Sequence, residues 1–209
     1  LMTSAPLGGT VAPFGGTEAL FSPSPIGFGY WDGQQAVMVD VSTSSTTNNK
    51  LIQYTRDGKK LEHPWLQDEQ GRATDDPTVM QRKGTVLPVG GKDNGHKGYG
   101  LALTVEALTA GLSGHGRGDP SLPWMGTLFL QIIDPDLFAG RETFSQKMAW
   151  VSDRVHANRP IDPAQPVRLP GERGLSSMKR QMDQGLELAE STVEALRQWG
   201  DKLSCPLMV

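Results

Sequence analysis

The stretch GHKGYGLALTVEALTAGLSGHG, residues 95–116, decides how this chain is read. It follows LPVGGKDN at 87–94, where Gly90-Gly91 and Asn94-Gly95 favour a turn. Leu101, Val105, Leu108 and Leu112 then recur at spacings of 4, 3 and 4, which predicts a helix with one apolar face and with Ala102, Ala107 and Ala110 between. Gly114, Gly116 and Gly118 end it. A helix that starts from a glycine-rich turn presents orphan N–H groups and the positive end of its dipole to an anion. The known phosphate-binding patterns nevertheless fail here. Gly90 and Gly95 have the separation of a nucleotide-triphosphate loop, but His96 precedes Lys97 and Gly98 follows it, where that loop needs Lys and then Ser or Thr. The GxGxxG fingerprint is also absent, since Gly98-Tyr99-Gly100 lacks the third glycine and Gly114-His115-Gly116 has Gly118 one position early. No Rossmann unit is supported. What remains is a helix start carrying His96 and Lys97, with Gly98 and Gly100 allowing close backbone approach. That pattern reads either as an anion site or as an ordinary turn with a solvated lysine.

Moving outward, residues 1–32 are rich in Gly, Pro and Ser, so regular structure there should be short. QAVMVDVST at 35–43 has the β-branched content of a strand and runs into a polar loop over 42–49. Residues 51–71 suggest a helix and then a loop. MGTLFLQII at 125–133 reads as a well-buried strand between Gly126 and Asp134-Pro135. Phe144, Met148, Val151 and Val155 mark an amphipathic helix, residues 167–169 a short strand, and Leu186, Ala189, Val193 and Leu196 a last helix. The class is α/β or α+β.

With 209 residues and 37% apolar content the chain can bury a core. A net charge of −3 gives no basic field for a phosphate backbone, which argues against nucleic acid as a partner. The single cysteine, Cys205, forms no intrachain disulfide and suits a reducing cytoplasm. No apolar run approaches a membrane span, so no membrane partner is expected. No HxxxH or HExxH pattern suggests a metal, and no GxSxG suggests a serine nucleophile. His63, His115 and His156 are scattered in polar surroundings. Asp75-Asp76-Pro77 sets two carboxylates at a turn, where adjacent acids are more often solvated than catalytic, although burial could tune one for proton exchange.

The GHKGYGLALTVEALTAGLSG segment resembles the malate/L-lactate dehydrogenase family, whose members include type-2 malate, L-lactate, ureidoglycolate and sulfolactate dehydrogenases, diketogulonate reductase and piperideine-carboxylate reductase. The resemblance continues in family order through APFGG and PSPIGFG within 12–29, AVMVDVSTS at 36–44, GRATDDP at 71–77, LPVGG at 87–91 and LPGER at 169–173. It implies a mixed α/β fold without a Rossmann unit, a largely antiparallel sheet flanked by helices, and a homodimer with its active site near domain and subunit boundaries. It also implies a nicotinamide cofactor, NAD or NADP, and a small 2-hydroxy or 2-keto acid between which and the cofactor a hydride passes. Residue by residue, Asp40, Val41, Ser42, Thr43 and Ser44 match the family's first cofactor-contacting segment, His96, Lys97 and Gly98 the second, and Gly171, Glu172 and Arg173 the third. The chemistry agrees, since hydroxyls supply donors, Lys97 a positive charge and Arg173 a fork for phosphate. Ser4 resembles a position close to cofactor or substrate, and Asp76 matches the family's Asp-Pro position as a candidate catalytic residue. Ser24-Pro25 stands where the family commonly has Asn-Pro, and Asp75 where Thr is frequent.

The family's proton-transferring histidine lies N-terminal to the matched region, so residues 1–209 are expected to be the cofactor-binding portion and C-terminal helices of a longer enzyme. The alternative is a catalytically inert fragment that keeps cofactor recognition or only the dimer scaffold.

Overall fold

The computed structural model describes residues 1–6, 8–120 and 126–205. The chain divides into two compact units, residues 1–154 and 155–209.

The first unit begins with β1 (Met2–Pro6), β2 (Pro25–Trp31) and β3 (Ala36–Ser42), followed by α1 (Asn48–Arg56), β4 (Leu66–Gln67) and β5 (Ala73–Thr74). A short 3₁₀ helix at Pro77–Arg82 leads to β6 (Thr85–Val86), α2 (Gly91–Asn94) and α3 (His96–Glu106), and then to β7 (Gly126–Leu130) and α4 (Arg141–His156). The larger sheet has the order β3-β2-β1-β7 and the smaller one β5-β4-β6, and every strand pairing in both is antiparallel. Mixed α/β architecture without a parallel βαβ sheet is thus what the missing fingerprint implied.

In the glycine- and proline-rich start, where regular structure was expected to be short, residues 2–6 and 25–31 form strands of five and seven residues that neighbour each other in the larger sheet. Pro25 is tolerated as the first residue of its strand, and pairing on both sides supplies the order that local propensity does not. The β2–β3 hairpin is fixed by Asp32, which is fully buried. One carboxylate oxygen accepts the N–H groups of Gln34 and Gln35 at 2.8 Å, and the other accepts the Ser152 hydroxyl at 2.5 Å, tying α4 to the hairpin. Gly33, at φ +101°, makes that turn possible.

The core gathers around the smaller sheet rather than the larger. Val11, Phe21, Leu51, Leu61, Leu66, Val79, Val86 and Ala102 pack together, with Tyr54, Trp65, Met80 and Tyr99 against them. Leu66 and Val86 are wholly buried, each burial stabilising by roughly 1.5–3 kcal/mol. A polar clasp closes α1 over this core. Lys50 Nζ meets Glu62 at 2.8 Å, the Tyr54 hydroxyl donates to the other Glu62 oxygen at 2.6 Å, and Lys50 lies 4.8 Å from the Trp65 ring. The Lys50 ammonium and then the Tyr54 hydroxyl hold the Glu62 carboxyl down at about 2.

Four expectations are corrected. GGKDNG is not simply a turn, for Gly90 takes a left-handed conformation and residues 91–94 already form α2. The inward face of α3 is Gly98, Ala102, Val105 and, beyond the helix, Thr109, whereas Leu101 and Leu112 are exposed; small side chains let the helix approach the backbone beneath it. Residues 107–111 widen into a π turn in which the Thr109 hydroxyl donates to the Val105 carbonyl at 2.6 Å. The strand expected as well buried is the sheet edge β7, which pairs with β1 and alternates exposed and half-buried; Met125 lies outside the described residues.

In the second unit, residues 167–169 form no strand. Leu169 is instead buried in the loop before Gly171, which starts α5 (Glu172–Gln184), a helix the apolar pattern had not suggested. The last helix, α6 (Glu190–Lys202), begins after Ala189, and Leu186 lies before it and is exposed. No helix among the described residues is long and apolar enough to cross a membrane.

Candidate functional site

The segment 40–46 leaves the sheet at the end of β3. Asp40 and Val41 are exposed on this edge strand, opposite Gly27 and Ile26. Beyond them hydroxyls shape the loop. Ser42 donates to the Ser44 carbonyl at 2.9 Å and Ser44 to the Thr46 carbonyl at 2.7 Å. Such local bonds replace the ladder where the strand stops. The loop is then laced to residues 87–89, with Ser45 N–H donating to the Leu87 carbonyl and its hydroxyl to the Pro88 carbonyl.

Val89 joins this loop to the helix start. Its N–H donates to the Thr43 carbonyl at 2.9 Å, and its own carbonyl accepts the Gly98 N–H at 3.0 Å. Thr43, Val89 and Gly98 therefore form one hydrogen-bonded chain, and the structure brings together two segments that lie more than fifty residues apart in sequence. A Cβ at Gly98 would sit 2.3 Å from Val89 N and 2.8 Å from the Thr43 carbonyl oxygen, so only glycine fits. Gly90, at φ +99°, is equally constrained, because a Cβ there would lie 2.2 Å from the Asn94 carbonyl oxygen.

These constraints fix where the neighbouring side chains project. His96 and Lys97 are exposed, with His96 edge-on to Phe14 of the APFGG turn at 5.7 Å. Among the described residues Lys97 has no carboxylate within ion-pair distance, and the α3 start has no side-chain cap. The Thr43 and Thr46 hydroxyls are buried with no hydrogen-bond partner among the described residues. A buried hydroxyl left unbonded costs about 1–3 kcal/mol, so a loop that keeps two of them has donors for a bound polar group. Spare hydroxyls, a cation without a carboxylate and an uncapped helix start fit the amide and phosphate groups of a dinucleotide.

Ser4 is half-buried on β1, one rung beyond Thr3, whose cross-strand neighbours are Ile26 and, through it, Val41. It therefore belongs to the same region of the sheet as the start of the loop.

Asp76 is placed elsewhere. It caps the 3₁₀ helix at Pro77–Arg82, one oxygen accepting both the N–H and the hydroxyl of Thr78 at 2.9 and 2.7 Å while the other lies 3.6 Å from Arg82. It lines a polar cavity with Asp68, Arg72, Thr74 and Arg82, none of which belongs to segments 40–46 or 96–98. The Thr78 hydrogen bonds hold its carboxyl below the usual carboxylate range. The contribution is present above the unfolded-state carboxylate pKa and is lost as pH falls through the depressed folded value. Asp76→Ala is expected to lower stability by about 1 kcal/mol at neutral pH, the scale of a lost cap, with the deficit closing in acid. Urea denaturation at neutral and acid pH checks this, and a deficit that persists below both values would count against the cap.

The third segment stands in the second unit. Gly171, at φ +97°, turns the chain into α5. Glu172 meets His156 Nε2 at 2.6 Å and accepts the Leu169 N–H at 3.2 Å, while Arg173 is exposed. Sequence reasoning missed Val89, whose role is carried by its backbone and leaves no side-chain signal. It also missed Arg168 and Arg180, which line one cavity with Arg173. Here a signal existed, because Arg173 and Arg180 are two helical turns apart.

Among the described residues no three His, Cys, Asp or Glu side chains gather as metal ligands. The malate/L-lactate dehydrogenase family matches residues 1–197. The Δ1-pyrroline-2-carboxylate/Δ1-piperideine-2-carboxylate reductase of Pseudomonas syringae pv. tomato is 30% identical over 191 residues, covering 87% of this chain and 52% of that protein. The malate/(S)-sulfolactate dehydrogenase of Methanothermus fervidus is 29% identical over 210 residues, covering 97% and 57%. Among solved structures, the sulfolactate dehydrogenase of Methanocaldococcus jannaschii aligns with a TM-score of 0.78 at 28% identity over 98% of this chain and 59% of that one. The chain spans about half the length of the curated relatives it matches. With a match running from residue 1 to residue 197 and an antiparallel fold shared with these structures, the chain belongs to the malate/L-lactate dehydrogenase family.

Proposed function

We propose that this chain supplies the cofactor-binding portion of an NAD(P)-dependent oxidoreductase acting on a small 2-hydroxy or 2-keto acid, or on a cyclic imino acid. The observation that carries the reading is the Thr43–Val89–Gly98 hydrogen-bond chain, which holds the hydroxyl loop against the Lys97 helix start. The names of the relatives, reductases and dehydrogenases of malate, sulfolactate and cyclic imino acids, support the substrate class. When bound, the nicotinamide carries the hydride. The chain's own part is to bind and orient. Thr43 and Thr46 offer hydroxyls and Lys97 a positive charge, while the Gly98 N–H is used to hold the helix start on the Val89 carbonyl.

A proton-transfer role for Asp76 needs a carboxyl that changes charge during turnover, and its hydrogen bonds favour the ionised, capping state. Turnover of Asp76→Ala, corrected for folded fraction, separates chemistry from capping.

Lys97→Ala in the full-length protein is expected to weaken NADH or NADPH binding by roughly 10–100-fold, the scale of a lost charge-assisted hydrogen bond, with the melting midpoint unchanged. Calorimetry with both dinucleotides reads this directly. Wild-type affinity in the variant would remove Lys97 from the site. Wild-type protein that binds cofactor but oxidises it with no 2-keto or cyclic imino acid would favour an inert binding module.

A further inference from the structure

Both ends of α3 are tied to the hydroxyl loop, and the two ties meet. At the start of the helix the Gly98 N–H donates to the Val89 carbonyl, and the Val89 N–H to the Thr43 carbonyl. The connection continues beyond Thr43, whose own N–H donates to the Ser24 carbonyl at 3.1 Å. The Ser24 and Ser22 hydroxyls lie 3.0 Å apart, and the Ser24 hydroxyl also donates to the Ser22 carbonyl at 3.3 Å. Arg117 Nη2 then donates to the Ser22 hydroxyl at 3.2 Å and to Glu106, the last residue of α3, at 2.6 Å. A closed ring of contacts thus runs from Gly98 through Val89, Thr43, Ser24, Ser22 and Arg117 to Glu106, with α3 itself completing it.

The hydrogens along this ring have one consistent arrangement. A guanidinium only donates, so the Ser22 oxygen accepts from Arg117; Ser24 spends its proton on the Ser22 carbonyl, so Ser22 donates to Ser24. Ser22, Ser24 and Thr43 are 2%, 0% and 1% exposed, so water is not at hand to replace a bond that is lost. Arg117 is brought back to the helix by the loop after it, where Gly114 stands at φ +69° and a Cβ on Gly116 would come 3.0 Å from Ala110 Cβ. Its guanidinium holds a carboxylate and a hydroxyl at once, which an apolar side chain filling the same space would not do.

We propose that Arg117 is a positioning residue: acting through Ser22 and Ser24, it sets the place of Thr43 and so holds the Thr43 and Thr46 hydroxyls in register with Lys97 at the start of α3. The proposal rests on the cofactor reading above and deepens it by naming a residue that governs the binding loop through others. Neither Arg117 nor the serines belong to the segments that the resemblance assigns to the cofactor, and Ser24 stands where the family commonly has Asn. The loop and the helix start come from distant parts of the sequence, and a shift of one against the other separates groups that must meet one ligand together.

Two variants of the full-length protein separate positioning from stability. Glu106→Met/Arg117→Leu exchanges the ion pair for apolar contact and should keep a melting midpoint near that of wild type. Ser22→Ala cuts the ring and leaves the Arg117–Glu106 pair in place. Each is titrated with NADH and NADPH by calorimetry, and amide hydrogen exchange of Thr43 and Val89 is followed by NMR in the free protein. Both variants are expected to bind the dinucleotides about tenfold more weakly, and to exchange the Thr43 and Val89 amides about tenfold faster, than wild type. A residue that only stabilises the fold would move neither readout in a variant of unchanged melting midpoint. Wild-type affinity in both variants would overturn the proposal and leave the cofactor reading intact. Weaker binding with unchanged exchange at Thr43 and Val89 would also overturn it, because the effect would not pass through the loop. Should the double variant fail to fold, Ser22→Ala decides by the same two readouts. Wild-type protein that binds neither dinucleotide would overturn the cofactor reading itself, and the proposal with it.

Discussion

Gly98→Ala is expected to lose roughly 3 kcal/mol of stability, at the upper end of what overpacking of a close-packed interior costs, and, on the function proposed above, cofactor binding with it. The added Cβ would fall 2.3 Å from Val89 N, 2.7 Å from Val89 O and 2.8 Å from Thr43 O. These are backbone atoms, and backbone cannot rotate away as a side chain end can. Relief requires α3 to move off residues 43 and 89, which breaks the Gly98–Val89 hydrogen bond and loosens the Val89–Thr43 bond behind it. Helix propensity works the other way, since Ala is preferred over Gly inside a helix by about 1 kcal/mol. The clash must outweigh that gain for the variant to be destabilised. Gly100 provides the control. A Cβ there meets nothing within 4 Å, so Gly100→Ala should be neutral or stabilising by several tenths of a kcal/mol. Denaturant unfolding of the two variants side by side makes the comparison, and equal stability of both would show that the helix start is not held against the loop.

Glu106→Ala is expected to destabilise by about 3 kcal/mol, the lower end for breaking a buried ion pair from one side. Glu106 closes the last turn of α3 and meets Arg117 Nη2 at 2.6 Å, with side-chain exposures of 17% and 13%. The same guanidinium donates to the Ser22 hydroxyl at 3.2 Å and lies 5.7 Å from the Phe21 ring. It thus fastens the glycine-rich loop after the helix to the residues preceding β2. Removing the carboxylate takes the Glu106 partner from a largely desolvated cation, and losing one side of such a pair costs more than lacking both charges. The double variant Glu106→Met/Arg117→Leu should therefore recover most of the loss, since apolar replacement of a buried pair is often close to neutral. A single-variant loss under about 0.5 kcal/mol would mark the pair as an ordinary surface salt bridge.

Both expectations turn on contacts between residues distant in sequence, and this is where the reading from sequence stopped. The turn at 90–91, the helix after Gly95 and the strand at 36–42 were legible because each is written locally, in glycine placement, in a period near 3.6 or in β-branched content. The strands at 2–6 and 25–31 were not, because their order comes from cross-strand pairing that glycine and proline content does not disclose. Burial was misjudged wherever a neighbour decides it. Leu101 and Leu112 look like a core stripe but are exposed, and the edge strand β7 has the composition of a buried one.

The sequence by itself determined that no Rossmann or triphosphate loop is present, that a glycine-rich helix start carries His96 and Lys97, and which family's motifs run in order along the chain. Motif order survives in one dimension because each motif's glycines, hydroxyls and charges are local requirements. Only the tertiary structure decided that the 42–46 loop and the α3 start meet through the backbone of Val89, that Asp76 is turned into a cap, and that three arginines share a cavity. Those outcomes depend on main-chain hydrogen bonds and on the direction in which a helix face points. The identity of a side chain does not encode either of them.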